Sequence, residues 1–195
     1  MQVEAILDTW RAWDASLHKR PQVMGPLSGG RSNRSFLLES NGSKMALRIN
    51  AKEDLLPNRR ASEDKTWQAA SAAVIAPPLL YADPNGIFLV SAYIETRLPD
   101  RSQDDPVVAE KALELLQRCH RLDVTAPGID YARHIEHYWR IIETRELPCE
   151  SKLLKQREPM GLVLENLTNS NTPRGMCHHD PVLENFVGSP ERLYL

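Results

Sequence analysis

The residues of this chain best suited to chemistry lie in the segment CHHDPVLENFVG, where His178, Asp180 and Asn185 stand in the spacing H-x-D-x-x-x-x-N. A single loop can then present a carboxylate and, five residues later, an amide oxygen. A carboxylate so placed can orient an acceptor hydroxyl, and the amide oxygen can hold a magnesium ion beside a transferring phosphoryl group. His178 and Asp180 are therefore the catalytic candidates, and Asn185 the metal-ligand candidate. The same residues also fit a polar turn before a short strand, Phe186 to Gly188.

Two further segments could serve the same reaction. In LSGGRSNRSF, Gly29 and Gly30 let backbone N–H groups approach phosphate oxygens with no Cβ in the way, and Ser32 or Asn33 can add side-chain contacts. A Gly-Gly pair also makes an ordinary hairpin, and the string falls short of G-x-G-x-x-G. In KMALRIN, strand alternation sends Met45, Leu47 and Ile49 to one face and Lys44, Ala46 and Arg48 to the other. Arg48 beside small Ala46 leaves room for a nucleotide. An arginine on the enclosed side needs an anion, and Glu63 is the nearest plausible one in sequence. The alternative is a surface arginine at a strand edge.

The elements that must hold these residues follow from periodicity. Val3, Ile6, Leu7, Trp10, Trp13 and Leu17 recur at helical spacing and predict one amphipathic packing helix. From about Val23 the pattern changes to three antiparallel strands, with turns at Ser28 to Asn33 and at Asn41 to Ser43. Asn41-Gly42 is a strong hairpin signal, because both residues tolerate positive φ. A helix is expected from Pro57 to about Ala73 with Trp67 as its large anchor, then strands near Leu79 to Ala82 and Ile87 to Ile94. Beyond Pro99 the chain reads as helical: Val107 to Leu122, Tyr131 to Glu146 and Ser151 to Asn169, with a last strand at Arg192 to Leu195. The shift near Ile94 divides the chain into residues 1–93, a sheet lobe with a leading helix, and 94–195, a helical lobe carrying the His178–Asn185 loop.

Composition excludes several classes. The 24 basic and 26 acidic residues leave a net charge of −2, so neither nucleic acid nor an anionic membrane is an expected partner. The N-terminus is neither signal peptide nor membrane span, because its apolar pattern is interrupted by charges. Cys119, Cys149 and Cys177 have no paired spacing, which fits a reducing cytoplasm. Cys177, His178, His179 and Asp180 are all possible metal ligands, but neighbours in an extended segment point to opposite sides and cannot converge on one ion. His134 and His137 sit one helical turn apart with no evident third ligand. A cysteine hydrolase built on Cys177 lacks any oxyanion motif.

The order of these pieces is the one that protein-kinase-like folds use. It runs from a glycine hairpin through a cation on the third strand, a helix with a glutamate and a strand to a linker, then to helices and an H-x-D loop. With LSGGRSNRSFLL, MALRI, RRASE and HHDPVLEN, the chain resembles the choline kinase, thiamine kinase and aminoglycoside phosphotransferase superfamily from about Pro26 to its C-terminus. The resemblance implies an α+β, two-lobe fold, with ATP and Mg2+ as cofactors. It implies that Gly29, Gly30, Ser32 and Asn33 cover the phosphates, that Arg48 contacts them with Glu63 holding it, and that backbone near Ser91 to Tyr93 meets the adenine edge. Asp180 becomes the base and Asn185 a magnesium ligand.

The family also expects a further metal-binding aspartate in a segment similar to I-D-W-E, just past the point where this chain stops, so a C-terminally truncated helical lobe is implied. The expected acceptor is a hydroxyl on a small, cationic metabolite such as choline, ethanolamine or thiamine, with aminoglycosides a less favoured class. Tyr138 and Trp139 are aromatic candidates for enclosing a cation, or else packing residues. The competing expectation is an inactive kinase-like protein that binds nucleotide or a partner, self-associating through apolar surface of the shortened lobe.

Overall fold

A computed structural model of the chain describes residues 3–14, 16–27, 33–50, 63–96, 98, 105–124, 130–144, 150–170 and 175–195. Of the expected site, Gly29, Gly30 and Ser32 lie outside these residues, as does the expected helix start at Pro57.

Five strands form one antiparallel sheet in the order β1-β2-β3-β5-β4. They are β1 (Gln22–Leu27), β2 (Arg34–Ser40), β3 (Ser43–Ile49), β4 (Leu79–Ala82) and β5 (Phe88–Ala92). Asn41 and Gly42 take φ of 50° and 80°, so the β2–β3 hairpin closes on a tight two-residue turn with Ser40 paired to Ser43. At the β4–β5 turn, Asp83 Oδ2 accepts the amides of Asn85 and Ile87, both at 3.1 Å.

The sheet buries one face under the N-terminal segment. Ile6, Leu7, Trp10 and Trp13 pack with Leu38, Met45, Leu47, Ile49, Phe88 and Val90. Burying each large apolar side chain is worth about 1.5–3 kcal/mol, so this cluster anchors the segment to the sheet. The expected apolar stripe is present, but the single helix is not: α1 (Val3–Leu7) is followed by a separate 3-10 turn, Trp10–Ala12. Thr9 accounts for the break. Its hydroxyl donates to the carbonyl of Ile6 at 2.8 Å and accepts from Trp13 Nε1 at 2.9 Å, an arrangement that competes with continued helix.

Helix α2 (Glu63–Ala72) lies between β3 and β4 in sequence. Two residues past its end stands Val74, whose φ of 55° is unusual for a β-branched residue. Arg118 donates to the carbonyl of Ala73 and, at 3.4 Å, to that of Val74, capping the helix from a distant element. That element is α3 (Pro106–His120), started by Asp105, whose side chain accepts the amide of Val107 at 2.9 Å with Pro106 in the first turn.

Helix α4 (Tyr131–Thr144) follows, and the expected helix from Ser151 to Asn169 proves to be two, α5 (Glu150–Leu154) and α6 (Arg157–Asn169). Pro159 explains the division, because proline lacks an amide and is accommodated only in a first turn. Last comes a two-stranded hairpin, β6 (Val187–Ser189) and β7 (Arg192–Tyr194). A second cluster joins Ile75, Val108, Leu115, Cys119, Phe186 and Leu193, with Ala70 and Ala73 of the α2 end packed on it. The end of α2, helix α3 and the C-terminal hairpin therefore share one core. Among the described residues, no helix is long and apolar enough to cross a membrane.

Candidate active site

Arg48 is placed by alternation along β3, where Met45, Leu47 and Ile49 are buried under the N-terminal segment. Its side chain leaves by the opposite face and forms an ion pair with Glu63, in the first turn of α2. Both side chains are partly enclosed, at 25% and 33% exposure, so solvent screens the pair less than at an open surface. One helical turn beyond Glu63, Trp67 presents its ring to the same guanidinium, with 5.3 Å between the guanidinium carbon and the ring centroid. The ring is held in turn by its Nε1, which donates to the carbonyl of Pro77 at 2.8 Å.

The guanidinium therefore has two neighbours that fix it, and its Nε is enclosed, with no hydrogen-bond partner among the described residues. An orphaned, buried, cationic donor is what a phosphate oxygen would satisfy.

Register brings other candidates near. Ser35 pairs with Arg48 across β2 and β3, so the start of β2, just after Asn33, lies at the Arg48 end of the sheet. Ser91 of β5 pairs with Ala46 and shares its face, and it is buried. The amide of Ala92 donates to Pro78 at 2.8 Å and that of Tyr93 to Lys44 at 3.2 Å. Within the backbone expected at an adenine edge, the amides of Ala92 and Tyr93 are thus engaged with the sheet and its flank.

The second group of residues lies on the loop between α6 and β6. Asn185 Nδ2 donates to the backbone carbonyl of Asp180 at 2.8 Å and to its Oδ2 at 3.2 Å. A 3-10 turn, Leu183–Asn185, sets that geometry, with the amides of Asn185 and Phe186 donating to Val182 at 3.0 Å and Leu183 at 2.9 Å. Phe186 then anchors the turn in the second cluster. Asp180 remains exposed, while Nδ1 of neighbouring His178 is enclosed without a hydrogen-bond partner among the described residues.

With its amide nitrogen committed to Asp180, Asn185 keeps its Oδ1 as a hard oxygen donor on the same loop. Among the described residues no cluster of three or more His, Cys, Asp or Glu could hold a metal ion. Magnesium does not require one, since it binds through one or two protein oxygens together with phosphates and water. The side-chain oxygens on the Asp180–Asn185 loop are of the kind magnesium takes, and the enclosed Nε of Arg48 is of the kind a phosphate oxygen takes.

The structure separates Tyr138 from Trp139. Trp139 is buried on the side of α4 that faces α6, beside a cavity of about 400 Å³ also lined by Glu136 and Arg157. Tyr138 is 42% exposed, with the rings of His134 and His137 edge-on to it. Neighbouring residues on a helix diverge by about 100°, so these two do not form one aromatic cage.

Sequence reasoning missed two contacts. Trp67 was legible only as a packing anchor, although its place four residues after Glu63 could have put it on the same face. Tyr131 Oη is hydrogen-bonded to His179 Nδ1, 3.1 Å apart, and no local signal joins residues so distant in sequence.

The family model of the phosphotransferase enzyme family matches residues 23–193. This chain belongs to that family, and its fold is the two-lobe, α+β, protein-kinase-like one. Among solved structures it is similar to a choline/ethanolamine kinase family protein from Mesorhizobium loti, with 23% identity and a TM-score of 0.69 over 100% of this chain and 64% of that one. It is also similar to the choline kinase LicA from Streptococcus pneumoniae, with 20% identity and a TM-score of 0.73 over 99% of this chain and 66% of the other. LicA has been solved in complex with AMP. A ternary complex of streptomycin, ATP and APH(2″)-IIa aligns at 14% identity and a TM-score of 0.57. The chain thus spans 64% and 66% of the first two structures. Comparison with curated proteins returns no match.

Proposed function

We propose that the chain carries the nucleotide-handling machinery for transfer of the γ-phosphoryl group of ATP to a hydroxyl of a small metabolite. The observation that carries this reading is the short loop on which Asn185 binds both the backbone and the carboxylate of Asp180. That linkage keeps a base and a metal-binding amide at one fixed separation, the requirement of in-line phosphoryl transfer.

In the proposed step the carboxylate of Asp180 accepts the proton of the acceptor hydroxyl as its oxygen bonds to the γ-phosphorus. The bond from that phosphorus to the β–γ bridging oxygen breaks, and ADP leaves. Arg48, held by Glu63 and Trp67, offers its Nε to a phosphate oxygen, and the glycine turn bearing Gly29, Gly30, Ser32 and Asn33 covers the phosphates. His178 borders the base. Magnesium, when bound with the nucleotide, would neutralise charge on the transferring phosphates, and Asn185 is the residue of this loop that would hold it.

The favoured acceptor is an amino alcohol such as choline or ethanolamine, or a thiamine-like hydroxyl. The two structural neighbours aligning at TM-scores of 0.69 and 0.73 bear choline or ethanolamine kinase names, which supports that choice over an aminoglycoside. A cytoplasmic setting, where ATP is available, belongs to the same reading.

The test is ATP titration of the chain with and without magnesium, followed by turnover with choline, ethanolamine, thiamine and an aminoglycoside. Magnesium-dependent binding lost in Asn185→Ala, with any turnover lost in Asp180→Asn, is the expected result. ATP binding that ignores both substitutions would sink the assignment.

A further inference from the structure

We propose that Tyr131 is a positioning residue for the Asp180 loop, acting through His179. The functional consequence rests on the phosphotransfer reading above, whereas the geometry does not.

His179 has φ of 68°, in the left-handed region. A residue with a Cβ disfavours that region by a factor on the order of tenfold, so some part of the structure must hold it there. Asp180 follows directly, and the direction of its carboxylate depends on this dihedral. Hydrogen bonds within the loop fix its downstream part, from Asp180 to Phe186. Upstream, Met176 is packed into the second cluster. His179 is the joint between these two anchored parts.

A contact from a different element reaches that joint. The phenol of Tyr131 is hydrogen-bonded to Nδ1 of His179 at 3.1 Å, and the two rings meet edge-on with centroids 6.1 Å apart. Tyr131 is itself well fixed as the first residue of α4. Asp130 caps that helix: its Oδ1 accepts the amide of Arg133 at 2.9 Å and its carbonyl accepts that of His134 at 2.9 Å. Farther along, α4 is secured by buried Trp139 and by Glu136, which receives Arg157 at 2.9 and 3.0 Å. A rigid helix thus holds a strained backbone position next to the proposed base. Glycine at 179 would adopt the same φ unaided, so the phenol should matter only while residue 179 carries a side chain.

The experiment uses the full chain as Tyr131→Phe, His179→Gly, the double variant and Asn185→Ala. Amide hydrogen exchange at Asn185 and Phe186 reads the loop, and paramagnetic relaxation reads Mn2+ binding in the presence of ATP. Tyr131→Phe should raise exchange at both amides and weaken Mn2+ binding, each by about three- to tenfold, consistent with losing one hydrogen bond. ATP binding without metal should not change. In the His179→Gly background, Tyr131→Phe should alter neither readout. A merely structural tyrosine would instead act equally in both backgrounds, and that result, or no effect in either, overturns the proposal. If Asn185→Ala weakens Mn2+ binding while Tyr131→Phe does not, the positioning role alone falls. If Asn185→Ala leaves Mn2+ binding unchanged, the phosphotransfer reading falls and takes the positioning role with it.

Discussion

The guanidinium of Arg48 stands 5.3 Å from the centroid of the Trp67 indole, on the helix that also supplies its carboxylate partner. A flexible cation is thereby held as a fixed donor. Truncating the ring in Trp67→Leu should lower ATP affinity by about three- to tenfold, the range of a partly enclosed cation–π contact. Glu63→Gln should lower it at least as much, because the arginine loses its charged partner. Calorimetric titration of both variants checks the order, and unchanged affinity in each would remove Arg48 from the nucleotide site.

The left-handed backbone at Val74 offers a stabilising substitution. Valine at φ 55° is unfavourable by roughly 1–2 kcal/mol, of which glycine would return part after its own loss of chain freedom on folding. The side chain is exposed, so little packing is lost. Val74→Gly should raise stability by about 0.5–1 kcal/mol, equivalent to an increase in Tm of roughly 1–4 °C at this size. A lower Tm in thermal unfolding would show that the valine makes contacts that outweigh the strain.

Gly188 is the opposite case. Its φ is 117°, and an added Cβ would lie 2.2 Å from the carbonyl oxygen of Arg192. Gly188→Ala must therefore push β6 and β7 apart, disturbing Leu193 and Phe186 in the second cluster. A loss of about 3 kcal/mol or more is expected in denaturant unfolding. A neutral result would mean that the hairpin does not pack as described.

The thiols should separate by reactivity. Burial raises the pKa of Cys119, whereas Cys177 is exposed. At neutral pH iodoacetamide should modify Cys177 at least tenfold faster than Cys119, because only the exposed thiol offers accessible thiolate. Peptide mass spectrometry resolves the two sites. A kinase-like site should also keep ATP binding after this modification, since no step proposed here uses the thiol.

What could be read from sequence was what short-range periodicity encodes. Alternation placed Met45, Leu47 and Ile49 on the buried face and Arg48 on the other, and the pairing of Arg48 with Glu63 followed from the need for an anion. Asn41-Gly42 located its hairpin because positive φ is a local property. The two expected helices that are broken, at Thr9 and at Pro159, divide where a single side chain overrides a longer apolar pattern. Val74 gave no warning at all, since its left-handed backbone is stabilised from Arg118 on another helix. Tyr131 was invisible for the same reason, because its partner is set by tertiary structure rather than by spacing.

The amide of Leu195 donates to the carbonyl of Ile75 at 2.8 Å, stitching the strand after the Asp180 loop to the segment that follows α2. Glu63 sits at one end of α2, and this stitch lies just beyond the other. A displacement of the loop that strains this stitch would be felt at the helix that aims Arg48, and any such coupling is reciprocal in free energy. Occupancy at either end should therefore be felt as altered affinity at the other.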